Sequence, residues 1–490
     1  MRSVIVIFIL GIWGFVIGGC EEGGGGGSGF TPTGRIVAVA ERSDSNTVRV
    51  GGPKGSATPG STVEITDLDT GEVKTITVGD DGSFVEEFRA STEDTFRVIV
   101  EEDGIDETIG VSIIRDAVER SISRLGSVPT AIEIRGSRAY VLNGFSDNIQ
   151  IFDLTTNPPE QIGTIVLPVG SDPIAIAFLD DTRAYVANLI GQSVALVNVV
   201  TLQCETIIAR TGGDFRPCQN VFLAAGAFED PSGVAVSNGK VYVTNGNLDS
   251  FFEPQGNGFI TVISVETNQV VRRIDSTGQG TGGITATNGR LYVVNSGDPD
   301  FDSATGEFFC DPNSVQSIDI IDPRFDSVVG SIPIPLSDNN PFACNPNRLK
   351  PTPDGRFGYL GSGLTGVLFK VDLQNNTLIR GADNPIVVTS TDGLDATFDV
   401  EVRDDGLAFI ALFNSDRIAV MDTSDDSLNP FPFIAPFPAG LRADNPDSDF
   451  FDGIQDLAIR ENGGFPDLFF ITGISEQLGS IDTSLLLPPE

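Results

Sequence analysis

The sequence predicts an all-β chain, and two observations carry that prediction. Short apolar segments of strand length recur from end to end, separated by turn residues that include 56 Gly and 29 Pro among 490 residues. The chain also has only five tyrosines, each in a near copy of one pentapeptide. The copies are "AYVLN" at Tyr140, "AYVAN" at Tyr185, "VYVTN" at Tyr242, "LYVVN" at Tyr292 and "GYLGS" at Tyr359.

The tyrosine slot marks an internal repeat. Successive tyrosines are 45, 57, 50 and 67 residues apart, and two further copies carry Phe409 in "AFIAL" and Phe469 in "LFFIT". Each of these seven units begins with an apolar strand before the tyrosine strand, and a third and usually a fourth strand follow. Four strands in a unit of this length are typical of a propeller blade. Residues 114–490 are therefore predicted to form a seven-bladed β-propeller.

These units resemble the YVTN-family β-propeller repeat, and the resemblance covers nearly all of residues 114–490. It implies the propeller fold but no single activity, because one fold hosts many functions. In such a blade the second strand is covered on both faces, so we expect Tyr242 to bury its ring and to find a polar partner for its hydroxyl. The asparagines that end these strands are expected to bond to the backbone of the following turn. They are Asn143, Asn188, Asn245 and Asn295.

The region before the repeats, residues 31–113, is predicted to be a small β-sandwich. Its segments "TVEITD", "EVKTITV", "GSFVEEF" and "TFRVIVE" alternate apolar and polar residues and are separated by "DTGE" and "GDDG". The stretch from Pro59 to Phe84 resembles bacterial Ig-like and carboxypeptidase-regulatory-like modules. That resemblance implies a spacer.

The N-terminus is predicted to carry an export signal. Residues 1–19 hold an apolar run too short to span a membrane comfortably, and "IGGC" resembles a bacterial lipobox ending at Cys20. Cys20 would be lipidated, and residues 20–30, rich in glycine, would form a flexible tether. The expected location is the bacterial cell envelope, at the outer membrane or the cell surface, with the lipid as membrane anchor. An ordinary secretory signal is the alternative.

Composition excludes several functional classes. The formal net charge of −38 repels phosphate backbones, so no nucleic-acid partner is expected. The chain has no histidine, which removes Ser-His-Asp triads and histidine-ligated zinc or haem. "GQGTGG" at residues 278–283 opens a strand instead of a helix, so it is a turn and not a dinucleotide site.

The four cysteines other than Cys20 suggest two disulfides in an exported protein, with three possible connectivities. We expect Cys310–Cys344, because both residues fall in connections on one face of the propeller. Cys204–Cys218 then follows by elimination, and the short loop it encloses favours it.

Two acidic segments are candidate calcium ligands, and calcium is the one cofactor that the sequence suggests. Alternating carboxylates at Asp298, Asp300 and Asp302 suit an oxygen-seeking cation, although the segment departs from an EF-hand. A comparable cluster comprises Asp447, Asp449 and Asp452. Solvated acidic loops are the alternative for both.

A further candidate site lies on the propeller axis. Aligning the first strands places seven residues in one column: Ala131, Ala175, Gly233, Gly283, Arg348, Asp399 and Asp456. Crowding near the axis explains the small residues, and adjacent blades would bring Arg348 close to both aspartates. The three charged residues form either a structural ion cluster or a site for a polar ligand.

The predicted function is binding. Most long connections fall on one face, including residues 211–230, 246–258, 296–314, 381–396 and 437–452, and long loops on a rigid scaffold commonly carry recognition. An envelope or extracellular protein or glycan is the expected partner, on a surface with Phe251, Phe252, Phe308, Phe309, Phe450 and Phe451. The alternatives are a lactonase-like hydrolase with a carboxylate-held divalent metal in the channel, and a purely structural envelope protein.

Finally, the propeller is expected to close by strand exchange between its termini. The seventh unit has only three strands before Glu490. Residues 117–126 should supply the fourth and pair with Leu478 to Ile481, which removes an exposed edge.

Overall fold

The computed structural model describes the strand-forming regions and most of their connections. Its described residues are 6–10, 13–17, 41–44, 47–52, 57–79, 84–90, 94–101, 105–110, 122–156, 158–249, 253–302, 307–389, 396–413, 417–426, 428, 433–434, 453–460, 467–473, 476–481 and 483. Every regular element within these ranges is a β-strand. Accordingly, none of these segments supplies a helix long and apolar enough to cross a membrane.

The N-terminal region contains a strand pair and two further sheets. Near the N-terminus, β1 (Val6–Leu10) pairs antiparallel with β2 (Trp13–Ile17). One sheet then has the order β3 (Glu41–Asp44), β4 (Thr47–Gly52), β7 (Phe84–Phe88). The other has the order β6 (Val73–Thr77), β5 (Thr62–Asp67), β8 (Thr95–Val100), β9 (Ile105–Gly110). Cys20 and the tether lie outside the described residues.

These two sheets share one apolar core. Val50 and Phe88 of the first sheet pack with Val63, Phe96 and Val98 of the second, all at most 1% exposed. Residues of β5 alternate between exposed and buried, as the period of two in its sequence predicts. Two sheets that bury one face each against the other form a β-sandwich.

From Ile122 onward the described strands form seven larger sheets, numbered 1 to 7 by their first strand, and one separate two-stranded pair. Sheet 1 is β11 (Pro129–Arg135), β12 (Arg138–Asn143), β13 (Asn148–Asp153) and β14 (Glu160–Val166). Sheet 2 is β15 (Pro173–Phe178), β16 (Arg183–Asn188), β17 (Ser193–Asn198), β18 (Gln203–Ala209) and β19 (Asn220–Leu223). Sheet 3 is β20 (Pro231–Ser237), β21 (Lys240–Asn245), β22 (Asn257–Ser264) and β23 (Val270–Gln279).

The later sheets repeat this order. Sheet 4 is β24 (Thr281–Thr287), β25 (Arg290–Asn295), β28 (Ser317–Asp322) and β29 (Ser327–Pro333), and the pair β26 (Pro299–Asp302) and β27 (Glu307–Cys310) is inserted between its second and third strands. Sheet 5 is β30 (Lys350–Pro351), β31 (Phe357–Gly361), β32 (Val367–Asp372), β33 (Thr377–Arg380) and β34 (Ile386–Val387), with β34 paired to β32. Sheet 6 is β35 (Thr397–Val402), β36 (Leu407–Leu412), β37 (Arg417–Asp422) and β38 (Phe433–Ile434).

Sheet 7 confirms the predicted closure between the two ends of the repeat region. It consists of β39 (Ile454–Ile459), β40 (Leu468–Thr472), β41 (Gln477–Ile481) and β10 (Ile122–Arg124). The strand β10 comes from before sheet 1 and pairs antiparallel with β41, with Ser123 opposite Leu478. Both edges of β41 are thereby hydrogen-bonded.

Apolar side chains between consecutive sheets hold the sheets in a circle. Each apolar cluster between residues 125 and 481 combines residues of two consecutive sheets, from sheets 1 and 2 to sheets 6 and 7. One further cluster joins sheet 7 to sheet 1, through Phe469 and Ile471 on one side and Ile132 and Val141 on the other. The circle is therefore closed by packing as well as by pairing.

In sheets 2 to 5 the tyrosine slot joins each sheet to the next, as expected for Tyr242. Its ring is fully buried, and its hydroxyl donates to Asp326 Oδ1 at 2.6 Å in the turn between the last two strands of sheet 4. The same turn of the following sheet accepts from Tyr185, Tyr292 and Tyr359. The tyrosines are thus structural.

The asparagines of the repeat differ from the expectation. They are fully buried, and their amides bond mainly to the third strand instead of the turn backbone. Asn188 donates to Ser193 Oγ at 3.1 Å, and Asn295 to Ser317 Oγ at 2.9 Å. Each asparagine is the last residue of its strand, so its side chain lies beside the third strand before the turn begins.

Both predicted disulfides are present. Cys310–Cys344 joins the β26–β27 insertion to the connection between sheets 4 and 5. Cys204–Cys218 joins the start of β18 to the loop that precedes β19. That loop brings β19 alongside β18 in parallel pairing, so part of the 211–230 insertion lies along the outer edge of sheet 2 instead of on the loop face.

Candidate functional site

The seven residues of the predicted column line one cavity. The first strands β11, β15, β20, β24, β30, β35 and β39 stand around it in chain order, and the cavity measures about 110 Å³. All seven column residues contribute to its wall: Ala131, Ala175, Gly233, Gly283, Arg348, Asp399 and Asp456. The alignment of first strands therefore identified a real meeting point on the axis.

The small residues of the column are required by close backbone approach. A Cβ on Gly233 would lie 2.6 Å from the carbonyl oxygen of Gly282, and a Cβ on Gly283 would lie 2.7 Å from the Cα of Arg348. Neither position has room for a side chain. Ala175, in contrast, carries its methyl group on the cavity wall.

The two aspartates tie neighbouring first strands together. Asp456 Oδ2 accepts the backbone N–H of Ile132 in β11 at 2.8 Å. Asp399 Oδ2 accepts the backbone N–H of Leu457 in β39 at 3.2 Å. Each carboxyl group thus reaches from its own sheet to the next, which gives it a structural role near the axis.

The same two carboxyl groups also act on each other. Burial raises the pKa of Asp456 well above its ordinary range, and the charge and hydrogen bond of Asp399 raise it further, against the opposing effect of Arg348 and Lys350. A hydrogen bond between two carboxyl groups requires one of them to be protonated. The raised pKa of Asp456 marks its carboxyl group as the one that more readily carries that proton.

Arg348 differs from the aspartates in having no direct partner. Burial alone would lower the pKa of its guanidinium, but Asp456 and Asp399 raise it, so the group stays charged. Among the described residues its guanidinium makes no hydrogen bond or ion pair, and it retains partial exposure toward the cavity that it lines. A planar cation with five N–H donors is therefore open to the cavity.

A second charged layer lies two residues further along the same strands. Lys350 and Glu401 form a close ion pair, with 14% and 20% of their side chains exposed. Burial raises the pKa of Glu401 and Lys350 opposes it, while Asp399 and Glu401 raise the pKa of Lys350 against burial and Arg348. The carboxylate of Glu133 also raises the pKa of Arg348.

Sequence reasoning missed this layer, although the signal was present. In each first strand these residues stand two positions after the column, opposite the tyrosine slot, as Lys350 stands opposite Tyr359. Side chains two apart on a strand point to the same side, so the alignment that gave the first layer also gives the second.

An aromatic residue completes one side of the wall. Phe398 lines the cavity, and its ring stacks on Phe413 at a centroid distance of 4.4 Å. Gln455 also lines it, is 5% exposed, and has an amide oxygen with no hydrogen-bond partner in the described structure. The lining also includes Ser296, which begins the connection between β25 and β28. The cavity therefore lies toward the end of the sheets that carries the long connections.

The predicted calcium ligands stay predictions. Asp298 is partly buried, and its backbone N–H donates to Ser314 Oγ at 2.6 Å. The side chains of Asp300 and Asp302 lie outside the described part of the chain, and so do Asp447, Asp449 and Asp452. Within the described ranges, no group of three His, Cys, Asp or Glu side chains could hold a metal ion.

The aromatic residues proposed for the loop face are mostly untested. Phe309 is described and is partly buried in β27. Phe251, Phe252, Phe450 and Phe451, with the side chain of Phe308, lie outside the described residues.

Comparisons with known proteins bear on the fold. The chain is similar to Kuenenia stuttgartiensis hydrazine synthase, with a TM-score of 0.52 and 16% identity over 76% of this chain and 99% of that one. It also aligns with the WD40 β-propeller domain of Doa1, with a TM-score of 0.47 and 8% identity over 74% of this chain and 95% of that one. No family model and no curated protein matches.

The chain is a β-propeller. The closed circle of sheets and the likeness to propeller structures agree on this point. At 16% identity the likeness shows the fold alone.

Proposed function

We propose that this protein is a lipid-anchored β-propeller that binds a protein or glycan partner and is not an enzyme. The observation that carries the proposal is the gathering of long connections at one end of the sheets. Two of these connections are joined by the Cys310–Cys344 disulfide, which fixes an irregular surface on a rigid scaffold. Surfaces of this kind commonly carry recognition.

The proposal includes a finer architecture. Residues 114–490 form a seven-bladed propeller of the YVTN type, residues 31–113 form an Ig-like spacer, and residues 1–19 are removed before lipidation of Cys20. The seven sheets, the tyrosine slot and the β10–β41 pairing support the propeller assignment. The shared core of the two N-terminal sheets supports the spacer.

The lactonase-like alternative is disfavoured by the charges on the axis. A divalent metal held by carboxylates needs a site with excess negative charge. Here Arg348 and Lys350 place two positive charges among the carboxyl groups, and burial raises the pKa of Asp456, which disfavours its charged form. A screen for metal-dependent hydrolysis of simple lactones tests this alternative directly, and turnover would overturn the binding assignment.

The binding face is tested by shortening connections. In one variant residues 246–256 and 296–314 are replaced by short turns, with Cys344→Ser so that no cysteine is left unpaired. In the matched control, the connection 154–159 at the opposite end of sheet 1 is shortened. Immobilised wild-type protein and both variants are then compared for retention of envelope proteins and glycans.

We expect the first variant to lose the retained component and the control to keep it. Circular dichroism of each variant establishes that the sheets are intact. Retention that survives the first change and disappears with the control would assign the binding to the opposite end.

A further inference from the structure

We propose that the axial cavity binds a neutral, hydroxyl-rich ligand, either a free sugar or the terminal sugar of a glycan. This inference rests on the proposed binding function and specifies a subsite for it. The cavity is lined by donors, acceptors and apolar atoms, the mixture that a sugar's hydroxyl groups and C–H surfaces require.

Polar groups that can reach a ligand are already in place. The guanidinium of Arg348 is without a direct partner among the described residues and lines the cavity. Asp399 and Asp456 line the same cavity and offer carboxyl oxygens as acceptors. Adjacent hydroxyls of a sugar can accept from a guanidinium and donate to a carboxylate at the same time.

Apolar side chains also line the cavity. Ala175, Ile176, Val234 and Ile284 line the cavity, and Phe398 contributes an aromatic ring backed by Phe413. A sugar ring presents C–H groups on one face, which suits such a surface. The cavity volume of about 110 Å³ holds roughly eight water-sized groups, enough for much of a hexose ring.

Charge argues against an ionic ligand. The cations Arg348 and Lys350 stand among the carboxyl groups of Asp399, Asp456, Glu401 and Glu133, so both signs of charge are already present around the cavity. The chain as a whole carries −38 and repels anions approaching the cavity. A cation would meet the guanidinium directly. A neutral ligand avoids both penalties.

The experiment uses ligand-observed saturation-transfer NMR on the purified full chain. The probes are glucose, galactose, mannose and N-acetylglucosamine at millimolar concentrations, with acetate, phosphate and ethanolamine as ionic probes. We expect saturation transfer to at least one sugar and to none of the ionic probes. An oligosaccharide that ends in the same sugar distinguishes a glycan terminus from a free sugar.

Two variants locate the site and one serves as the control. Arg348→Gln removes the charged donors and should weaken sugar binding about tenfold or more, as expected for hydrogen bonds to a charged group. Ala175→Val fills the cavity from its uncharged side and leaves the charged groups in place, so it remains informative if Arg348→Gln fails to fold. The control is Arg135→Gln. This arginine lies beyond the second charged layer and has 47% of its side chain exposed, so its replacement should leave sugar binding unchanged.

Several outcomes would overturn the inference. Wild-type protein that binds none of the sugars excludes the ligand class, and sugar binding that survives Ala175→Val excludes the cavity. Binding of acetate or phosphate that depends on Arg348 would make this an anion site instead. These measurements use purified protein and small molecules, so they are independent of the capture experiment on the long connections. Sugar binding can be absent while partner capture is retained, and it can be present while capture is lost.

Discussion

The wall of the axial cavity has two unlike halves. In sheets 2, 3 and 4 the column holds Ala175, Gly233 and Gly283, and the layer below holds Ala177, Ala235 and Thr285. In sheets 5, 6, 7 and 1 the same two layers hold every charged residue: Arg348, Lys350, Asp399, Glu401, Asp456 and Glu133. We call these the neutral half and the charged half.

The difference shows how a ring of similar repeats becomes asymmetric. In the neutral half the backbones approach so closely that glycine is required, as at Gly233. In the charged half, carboxyl groups of one sheet reach the backbone of the next, as Asp456 reaches Ile132. The repeat therefore gives all seven sheets a common framework. The residues at two positions in each first strand determine which side chains line the axis and therefore what it can bind.

The largest expected effect comes from breaking the ion pair of the charged half. Lys350→Met should lower the free energy of unfolding by about 3–5 kcal/mol, because it leaves Glu401 buried without its partner. Chemical denaturation measures the loss. The double variant Lys350→Met/Glu401→Leu should recover most of it, since no unpaired charge remains.

The control for this prediction is an exposed pair on the neutral half. Arg183 and Asp180 pair at 2.9 Å with 42% and 41% of their side chains exposed, so Arg183→Met should cost about 0–1 kcal/mol. Equal losses in Lys350→Met and Arg183→Met would contradict the distinction between the two halves.

A buried acid precedes the first strand of sheet 2, in the neutral half, and its effect on stability depends on pH. Asp172 precedes β15, is 3% exposed, and burial together with the charge of Asp147 raises its pKa to about 7. The folded state therefore keeps a proton that the unfolded chain releases near pH 4. The stability from this group is fully present below about pH 4 and is lost as pH rises through about 7.

Asp172→Asn should remove this pH dependence. The difference in unfolding free energy between variant and wild type should change by about 2–4 kcal/mol between pH 4 and pH 8. Urea titrations at several pH values measure it. A difference that stays constant across this range would show that Asp172 titrates normally.

Close approach in the neutral half is tested by adding one methyl group. Gly233→Ala places a Cβ 2.6 Å from the carbonyl oxygen of Gly282, and the resulting strain should cost about 1–3 kcal/mol. Gly330→Ala in β29 is the matched control, because its Cβ would meet only Ile320 Cδ1 at 3.6 Å. We expect the control to be neutral or slightly stabilising in thermal unfolding. Similar melting temperatures for the two variants would refute the crowding argument.

The smallest effect should be the same in both halves. Tyr242 of sheet 3 and Tyr359 of sheet 5 each donate to an aspartate of the following sheet, Asp326 and Asp426. Removing either hydroxyl, by Tyr242→Phe or Tyr359→Phe, should cost about 1 kcal/mol. Tyr140→Phe is the control, because Leu202 stands where the other sheets provide an acceptor in the turn. Unequal losses of stability in Tyr242→Phe and Tyr359→Phe would show that the two halves also differ away from the axis.

Much of this architecture followed from the sequence alone. The spacing of the tyrosines gave the four-stranded repeat, the short seventh unit gave the pairing of β10 with β41, and the positions of the cysteines gave both disulfides. These features depend on strand periodicity and on chain connectivity, which are written along the sequence. The axial column was predicted for the same reason, since equivalent positions in equivalent strands must meet.

Only the tertiary structure decided which groups on the axis interact. The sequence placed Arg348 beside both aspartates, but the structure bonds those aspartates to the next strand and leaves the guanidinium facing a cavity. It also added Lys350 and Glu401 to the network. The physical reason is that a strand's sequence fixes which side its residues face. Contacts across the ring depend instead on distances of a few ångströms between sheets far apart in the chain.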